Sequence, residues 1–248
     1  MFNIFKRKKT EQQPEDLAWL YADMHGHFIP GIDDGPKELE QSLKLLESMV
    51  AFGYKKLVTT PHINADFFPN TPEIIAGALA SLQHAVAERG IDIEISAAAE
   101  YMIDFGFMDL LDAPAPLLTL GNTNHVLVEM GYMQEVPMLD NALFRVQAKG
   151  YVPVLAHPER YVFYHDAPLS LFENLKEKGC LLQLNVIALA GYYGKEVLHA
   201  AERLLNAGLY DYCGSDVHHE RHIKALTMLL NSKNYPKIKH GNFLNASL

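Results

Sequence analysis

Short apolar runs alternate with amphipathic stretches along nearly the whole chain, and this rhythm predicts repeated strand–helix units. Trp19-Leu20-Tyr21-Ala22 reads as a first strand running into Asp23-Met24-His25-Gly26-His27. Leu39, Leu43, Leu46, Met49 and Val50 recur at helical spacing, with Pro36 suited to a first turn and Gly53 to a C-terminal cap. Leu57-Val58-Thr59 predicts a strand that delivers His62, and Thr71-Pro72-Glu73 opens a helix that stops at Gly90. Residues 91–95 alternate like a strand and run through small residues to Glu100. A short helix over 102–111, a strand from His125 to Glu129 and a helix over 137–149 come next. The strand 151–156 delivers His157. After it come helix 169–178, strand 180–185, helix 195–206, strand 209–213 and a last helix over 223–230.

Seven such units imply an α/β protein with a parallel sheet, closed or nearly closed as a distorted seven-stranded (β/α)7 TIM-like barrel. The 248 residues suit one large barrel or two small domains. No repeat or linker divides the chain, so 17–248 is expected to be a single domain. Residues 1–16 differ in character: Phe2, Ile4 and Phe5 precede Lys6-Arg7-Lys8-Lys9, followed by a polar stretch. They read as a flexible basic tail, with peripheral contact to an anionic inner membrane surface as the sharper alternative. No apolar run is long enough to span a bilayer, and no signal-peptide pattern is present. Two cysteines without paired spacing, Cys180 and Cys213, fit a reducing cytoplasm. The formal charge of −9 argues against a nucleic-acid binder.

In parallel barrels catalytic groups gather at the carboxyl ends of the strands. Here those ends carry His25 and His27, His62, Glu100, Glu129, His157, and then Asp216 and His218. Only the strand ending at Asn185 lacks a strong ligand. A packed core histidine explains any one of these positions but not an ordered series at six strand ends. His125 begins its strand, and His84 and His199 fall within helices, so those three are set aside. Imidazoles mixed with carboxylates and no thiolate suit Mn²⁺, Fe²⁺ or Zn²⁺. The candidates exceed what one tetrahedral ion uses, so two or three ions are expected. Clustered ions lower the pKa of a bridging water and neutralise phosphoryl oxygens, which is the chemistry of phosphoester hydrolysis.

Together, His25-Gly-His27, Gly31-Ile-Asp-Asp-Gly35, Thr60-Pro-His62, Glu100, Glu129, Ala156-His-Pro-Glu-Arg160 and Ser215-Asp-Val-His218 resemble the polymerase-and-histidinol-phosphatase (PHP) superfamily. Within it they look most like the manganese-dependent bacterial tyrosine phosphatases encoded with capsule and exopolysaccharide genes. The resemblance implies a first metal on His25, His27, Glu100 and Asp216. Glu100 would bridge to a second, held also by Glu129 and His157. A third would take His62, His218 and a loop aspartate, Asp34 in preference to Asp33. Much of the superfamily has histidines at the positions of Glu129 and that aspartate, so carboxylates at both point to the tyrosine-phosphatase branch.

By the same resemblance Arg160 would grip the phosphate with its planar fork. Arg221 would be a second clamp, at a slightly different offset from the family's arginine. The implied reaction is attack by a metal-bound hydroxide on phosphotyrosine, with no covalent phospho-enzyme. A cysteine-based mechanism is excluded, because Cys-x5-Arg needs arginine where Val186 and His219 stand. Phe67, Phe68, Phe105, Tyr132, Tyr161 and Tyr164 fall in loops near the mouth, where aromatic side chains either flank a phenyl ring or simply pack. No residue is assigned as general acid. The implied partner is the phosphotyrosine tail of a membrane tyrosine autokinase. Two alternatives stand beside this reading: a histidinol-phosphate phosphatase, and a catalytically silent PHP module that binds a partner.

Overall fold

The computed structural model describes residues 15–248. All but the last two residues of the basic tail therefore lie outside the described residues. Nine short strands form two sheets in which every ladder is parallel: β1 (Ala22–Asp23), β2 (Lys56–Thr59), β3 (His62–Ile63), β4 (Glu94–Ala97), β5 (Glu100–Met102), β6 (His125–Glu129), β7 (Val152–Leu155), β8 (Leu181–Asn185) and β9 (Tyr212–Gly214). The order is β1-β2-β4 in one sheet and β3-β5-β6-β7-β8-β9 in the other. Nine segments stand where the hydropathy pattern predicts seven strands, and Pro61, which has no N–H, lies at one of the breaks. Across the breaks Ala98 N donates to Thr59 O and Glu100 N to Pro61 O, so β2–β3 and β4–β5 each run as one passage. The sheets thus continue one another as a curled parallel wall.

Closure is made at its two ends by different means. Near the carboxyl ends, Gly26 and Val217 form a parallel bridge, with His27 N donating to Val217 O at 2.9 Å and Asp216 N to His25 O at 2.7 Å. Lower down, the Asn245 side chain replaces the missing ladder. Its Nδ2 donates to Ala22 O (2.8 Å) and Cys213 O (2.7 Å), and its Oδ1 accepts from Cys213 N (3.0 Å). Met24, Val58, Leu127, Val154 and Tyr212 fill the interior together with the C-terminal Leu248. A larger apolar layer lies between the wall and its helices.

The helices are α1 (Leu39–Ala51), α2 (Pro72–Arg89), α3 (Phe105–Asp112), α4 (Leu139–Ala148), α5 (Leu169–Glu177), α6 (Lys195–Asn206), α7 (Glu220–Leu230) and α8 (Tyr235–Lys239). Three expectations need correction. Trp19-Leu20 is not strand but a 3-10 turn, Ala18–Leu20, because Leu17 and Leu20 both turn into the core and Tyr21 N bonds back to Ala18 O. Pro36 stays outside α1, which Glu38 and Gln41 start with a reciprocal capping box. Met102 belongs to β5, paired with Glu129, and α3 starts later, where Asp104 accepts from Phe107 N at 2.8 Å. The pattern also missed α8 and the terminal 3-10 turn Leu244–Ser247, too short for a periodicity to register. No helix among the described residues is long and apolar enough to cross a membrane.

Asn245→Ala removes three buried hydrogen bonds and leaves backbone groups of two strands unpaired. The expected loss is about 3 kcal/mol of unfolding free energy, read from urea denaturation.

Candidate metal centre

The site is assembled where the passages end. Directly after β1 come His25 and His27, both fully buried. Asp23 anchors that segment to the opposite end of the wall: its Oδ1 accepts from Ser215 N at 2.9 Å, and its other oxygen from the Ser215 hydroxyl. Gly214 permits the close approach, since a Cβ there would lie 2.6 Å from the Cβ of His25. Two candidate ligands take left-handed backbone conformations, His157 (φ +34°) and Asp216 (φ +52°). Each costs about 1–3 kcal/mol for a non-glycine residue. His157 N bonded to Gln183 Oε1 (3.1 Å) and Asp216 N bonded to His25 O hold them there.

Four ligand atoms then converge. His25 Nε2 lies 3.1 Å from Glu100 Oε2 and 3.3 Å from Asp216 Oδ1; His27 Nε2 lies 3.4 Å from both; the two Nε2 atoms are 3.4 Å apart. Ligands at roughly 2.1 Å from a tetrahedral ion have edges of about 3.4 Å, so the spacing fits one divalent cation. A second group joins His62 Nδ1 to Glu129 Oε1 (2.9 Å) and Glu100 Oε2 (3.3 Å). A third brings Asp34 Oδ1 to His218 Nε2 (3.2 Å) and His62 Nε2 (3.5 Å), with His27 alongside. His157 Nε2 faces the other oxygen of Glu100, Oε1, at 3.0 Å, and its Nδ1 is buried without a hydrogen-bond partner. Glu100 belongs to the first two groups and also faces His157, while His27 and His62 link these two to the third. The resemblance places His157, rather than His62, with Glu129; in the structure His62 turns one ring nitrogen to each of the last two groups.

Asp33 and Asp34 separate cleanly. Asp33 Oδ2 bonds His27 Nδ1 at 2.8 Å and its Oδ1 accepts from Gly35 N, so it orients a histidine from behind while Asp34 reaches the cluster. Gln183 plays a similar part and was missed: its Oε1 meets His25 Nδ1 at 3.1 Å as well as His157 N. Asn185, two residues on along the same strand, donates to Asp216 Oδ2 at 3.0 Å. The alternation of β8 held the signal, since Gln183 and Asn185 are polar at inward positions of an otherwise apolar strand. His222, also missed, receives His218 N at 3.1 Å.

Burial opposes every charge here, so the charges are kept by one another. It pushes Glu100 upward, yet His25 and His62 hold that carboxyl well below its ordinary range. Burial lowers His62, but Glu100 and Glu129 carry it up to about 9. His25 and His27 are raised as well, against burial, by the carboxylates around them. Glu129 is pushed up by burial and by the neighbouring Glu100. His157 is lowered to about 4 by burial and by Arg160. A buried set of acids and imidazoles with no thiolate suits divalent cations, which would take the place of the protons.

Arg160 lies between two tyrosine rings, 4.7 Å from the Tyr132 centroid and 4.3 Å from that of Tyr193. Its Nη1 donates to Asp216 Oδ2 at 2.5 Å. Glu159 does not pair with it directly, accepting instead from Asn185 N (2.8 Å) and the Tyr210 hydroxyl (2.9 Å). Arg221 is exposed in the first turn of α7 and lines a cleft of about 520 Å³ with Asp34, Lys37 and His218. Of the loop aromatics, Tyr161 and Tyr164 are buried packing residues, and neither can face a substrate ring. Phe68 stacks on His62 with centroids 5.5 Å apart.

Comparison with known proteins finds relatives over most of the chain. Residues 21–242 match the family described as capsular polysaccharide synthesis, CpsB/CapC. The chain is 31% identical to the tyrosine-protein phosphatase YwqE of Bacillus subtilis strain 168, over 79% of this chain and 76% of that one. It is also similar to a solved structure from work on YwqE of Bacillus subtilis and CpsB of Streptococcus pneumoniae, described as unique metal-dependent tyrosine phosphatases. There the TM-score is 0.75 at 28% identity, covering 86% of this chain and 87% of the other. A histidinol phosphate phosphatase from Lactococcus lactis shares the fold, with a TM-score of 0.51 at 17% identity over 85% and 93% of the two chains.

Two outcomes follow for cation binding. Gln183→Leu, which frees the back of His25, is expected to weaken Mn²⁺ affinity about 10- to 100-fold in a calorimetric titration. Loading the metal-free protein at pH 7 is expected to release protons to a weakly buffered indicator. His62, carried up to about 9, is protonated there, so apparent affinity rises with pH until it loses its proton.

Proposed function

The chain belongs to the CpsB/CapC capsular polysaccharide synthesis family, and we propose that it is a metal-dependent tyrosine-protein phosphatase whose nine metal ligands are His25, His27, Asp34, His62, Glu100, Glu129, His157, Asp216 and His218. The observation that carries this reading is three adjoining ligand groups, two of them sharing Glu100 and the third joined to these through His27 and His62, beside a guanidinium held between two rings. When bound, divalent cations supply the positive charge that lets water deprotonate near neutral pH and that offsets phosphoryl charge. The native ion is proposed to be Mn²⁺.

The protein's own residues do the rest. Arg160, released from Asp216 by a competing anion, presents its fork to the phosphoryl oxygens, while Tyr132 and Tyr193 keep its plane. Arg221, on the cleft beside Asp34 and His218, is the second phosphate contact. Asp33, Gln183 and Asn185 fix the rotamers of the ligands they touch. Phenolate, the leaving group, has a parent pKa near 10 and needs less help from an acid than an aliphatic alkoxide would. The substrate is proposed to be the phosphotyrosine tail of a membrane tyrosine autokinase, met in the cytoplasm, with residues 17–248 forming the one catalytic domain. The basic tail then has a reason to lie near the membrane surface.

Phosphate release with Mn²⁺ present, from a phosphotyrosine peptide and from histidinol phosphate side by side, tests the reading. Preference for the peptide is expected, with Arg160→Ala lowering kcat/KM roughly 10- to 100-fold and His157→Ala abolishing turnover. Preference for histidinol phosphate would move the protein to that branch, and hydrolysis of neither would leave a partner-binding module.

A further inference from the structure

The carboxyl-end loops after β3, β5, β6 and β7, four neighbours in the sheet, each carry a large apolar side chain in solvent. Phe67 is 77% exposed, Phe105 80%, Met133 77% and Val162 51%, with Tyr132 38% exposed beside Met133. Among the described residues, other large apolar side chains more than half exposed are Phe144 and Met228, standing singly on α4 and α7. The loops touch. A Cβ on Gly106 would lie 2.9 Å from the Cβ of Ala65, and Val162 N donates to Tyr132 O at 3.0 Å.

This exposed collar sits just outside an inner tier of rings that face the cluster. Phe67 precedes Phe68, which stacks on His62; Tyr132, whose carbonyl accepts from Val162 N, meets His157 at 5.9 Å and also covers Arg160. Exposed charges on the same loops are acidic: Asp66, Glu135 and Asp166. Exposed apolar side chains grouped around one opening mark a binding site.

We propose that the collar is the docking surface for the polypeptide on either side of the phosphotyrosine, and that it selects apolar neighbours over acidic ones. The inference rests on the phosphatase reading above. A phosphotyrosine whose phosphate reaches the cluster leaves its own main chain at the mouth, so the flanking side chains must lie over the loops that surround it. Their surroundings there are apolar on the β3–β7 side and carry negative charge beyond.

The test compares kcat/KM of the full Mn²⁺-loaded chain on three phosphotyrosine peptides, flanked by leucine, serine or glutamate, with free phosphotyrosine as control. The leucine-flanked peptide is expected to exceed the serine one about tenfold, mainly through KM, as burial of an apolar side chain implies. The double variant Phe67→Ser/Phe105→Ser is expected to bring the two within twofold and to leave free phosphotyrosine unchanged. Equal rates on all peptides, preference for the glutamate peptide, or a preference that survives the double variant would overturn the proposal. So would a wild-type dimer, seen by sedimentation, that the double variant dissociates, because the patch would then serve a second copy. Loss of turnover on free phosphotyrosine itself in the wild type would instead count against the phosphatase reading, and the dock would fall with it.

Discussion

Glu100 is the carboxylate on which this structure turns. It is buried at the end of β5, and each oxygen is answered by imidazole, Oε2 by His25 and His62 and Oε1 by His157. A buried unpaired charge costs several kcal/mol, so the fold must bring three distant chain segments to one carboxyl group or leave it neutral. That requirement explains why the barrel is closed most firmly at its carboxyl end, through Gly26–Val217 and the Asp23–Ser215 contacts. It also explains why His157 and Asp216 are held in left-handed backbone conformations that their side chains would not choose.

Around that charge the protein is layered. Ligand atoms lie innermost. Behind them Asp33, Gln183, Asn185 and His222 hold the rings and the Ser215–His218 turn in place. In front, Tyr132 and Tyr193 hold Arg160 by its faces and leave the guanidinium edge to hydrogen bonding, which Asp216 now accepts. Such an arrangement suits a site that must grip phosphate and then release it.

Much of this was legible in the chain. Chemistry-bearing residues recur at the ends of successive apolar runs, and β-strand ends in a parallel wall share one face, so the cluster could be anticipated from order alone. α6 occupies the predicted 195–206, because Val197, Ala200, Ala201 and Leu204 make a strong apolar stripe. Trp19-Leu20 misled, since an apolar run of that length says only that residues are buried and not by what backbone path. The loop aromatics stay open on the sequence for the same reason: Tyr161 and Tyr164 are as aromatic as Tyr132 but point into the core.

The sequence by itself determined the alternating α/β architecture and which acids and imidazoles stand at the strand ends as candidate ligands, because these depend on residue type and local period. Tertiary structure alone decided that Asp33 orients His27 from behind, which nitrogen of His62 meets which carboxylate, and that Asn245 closes the wall against residues distant in sequence. Those outcomes turn on contacts such as the 2.8 Å bond between Asn245 and Ala22, residues 223 positions apart. No local pattern encodes such distances; they arise when packing and buried charge are satisfied together.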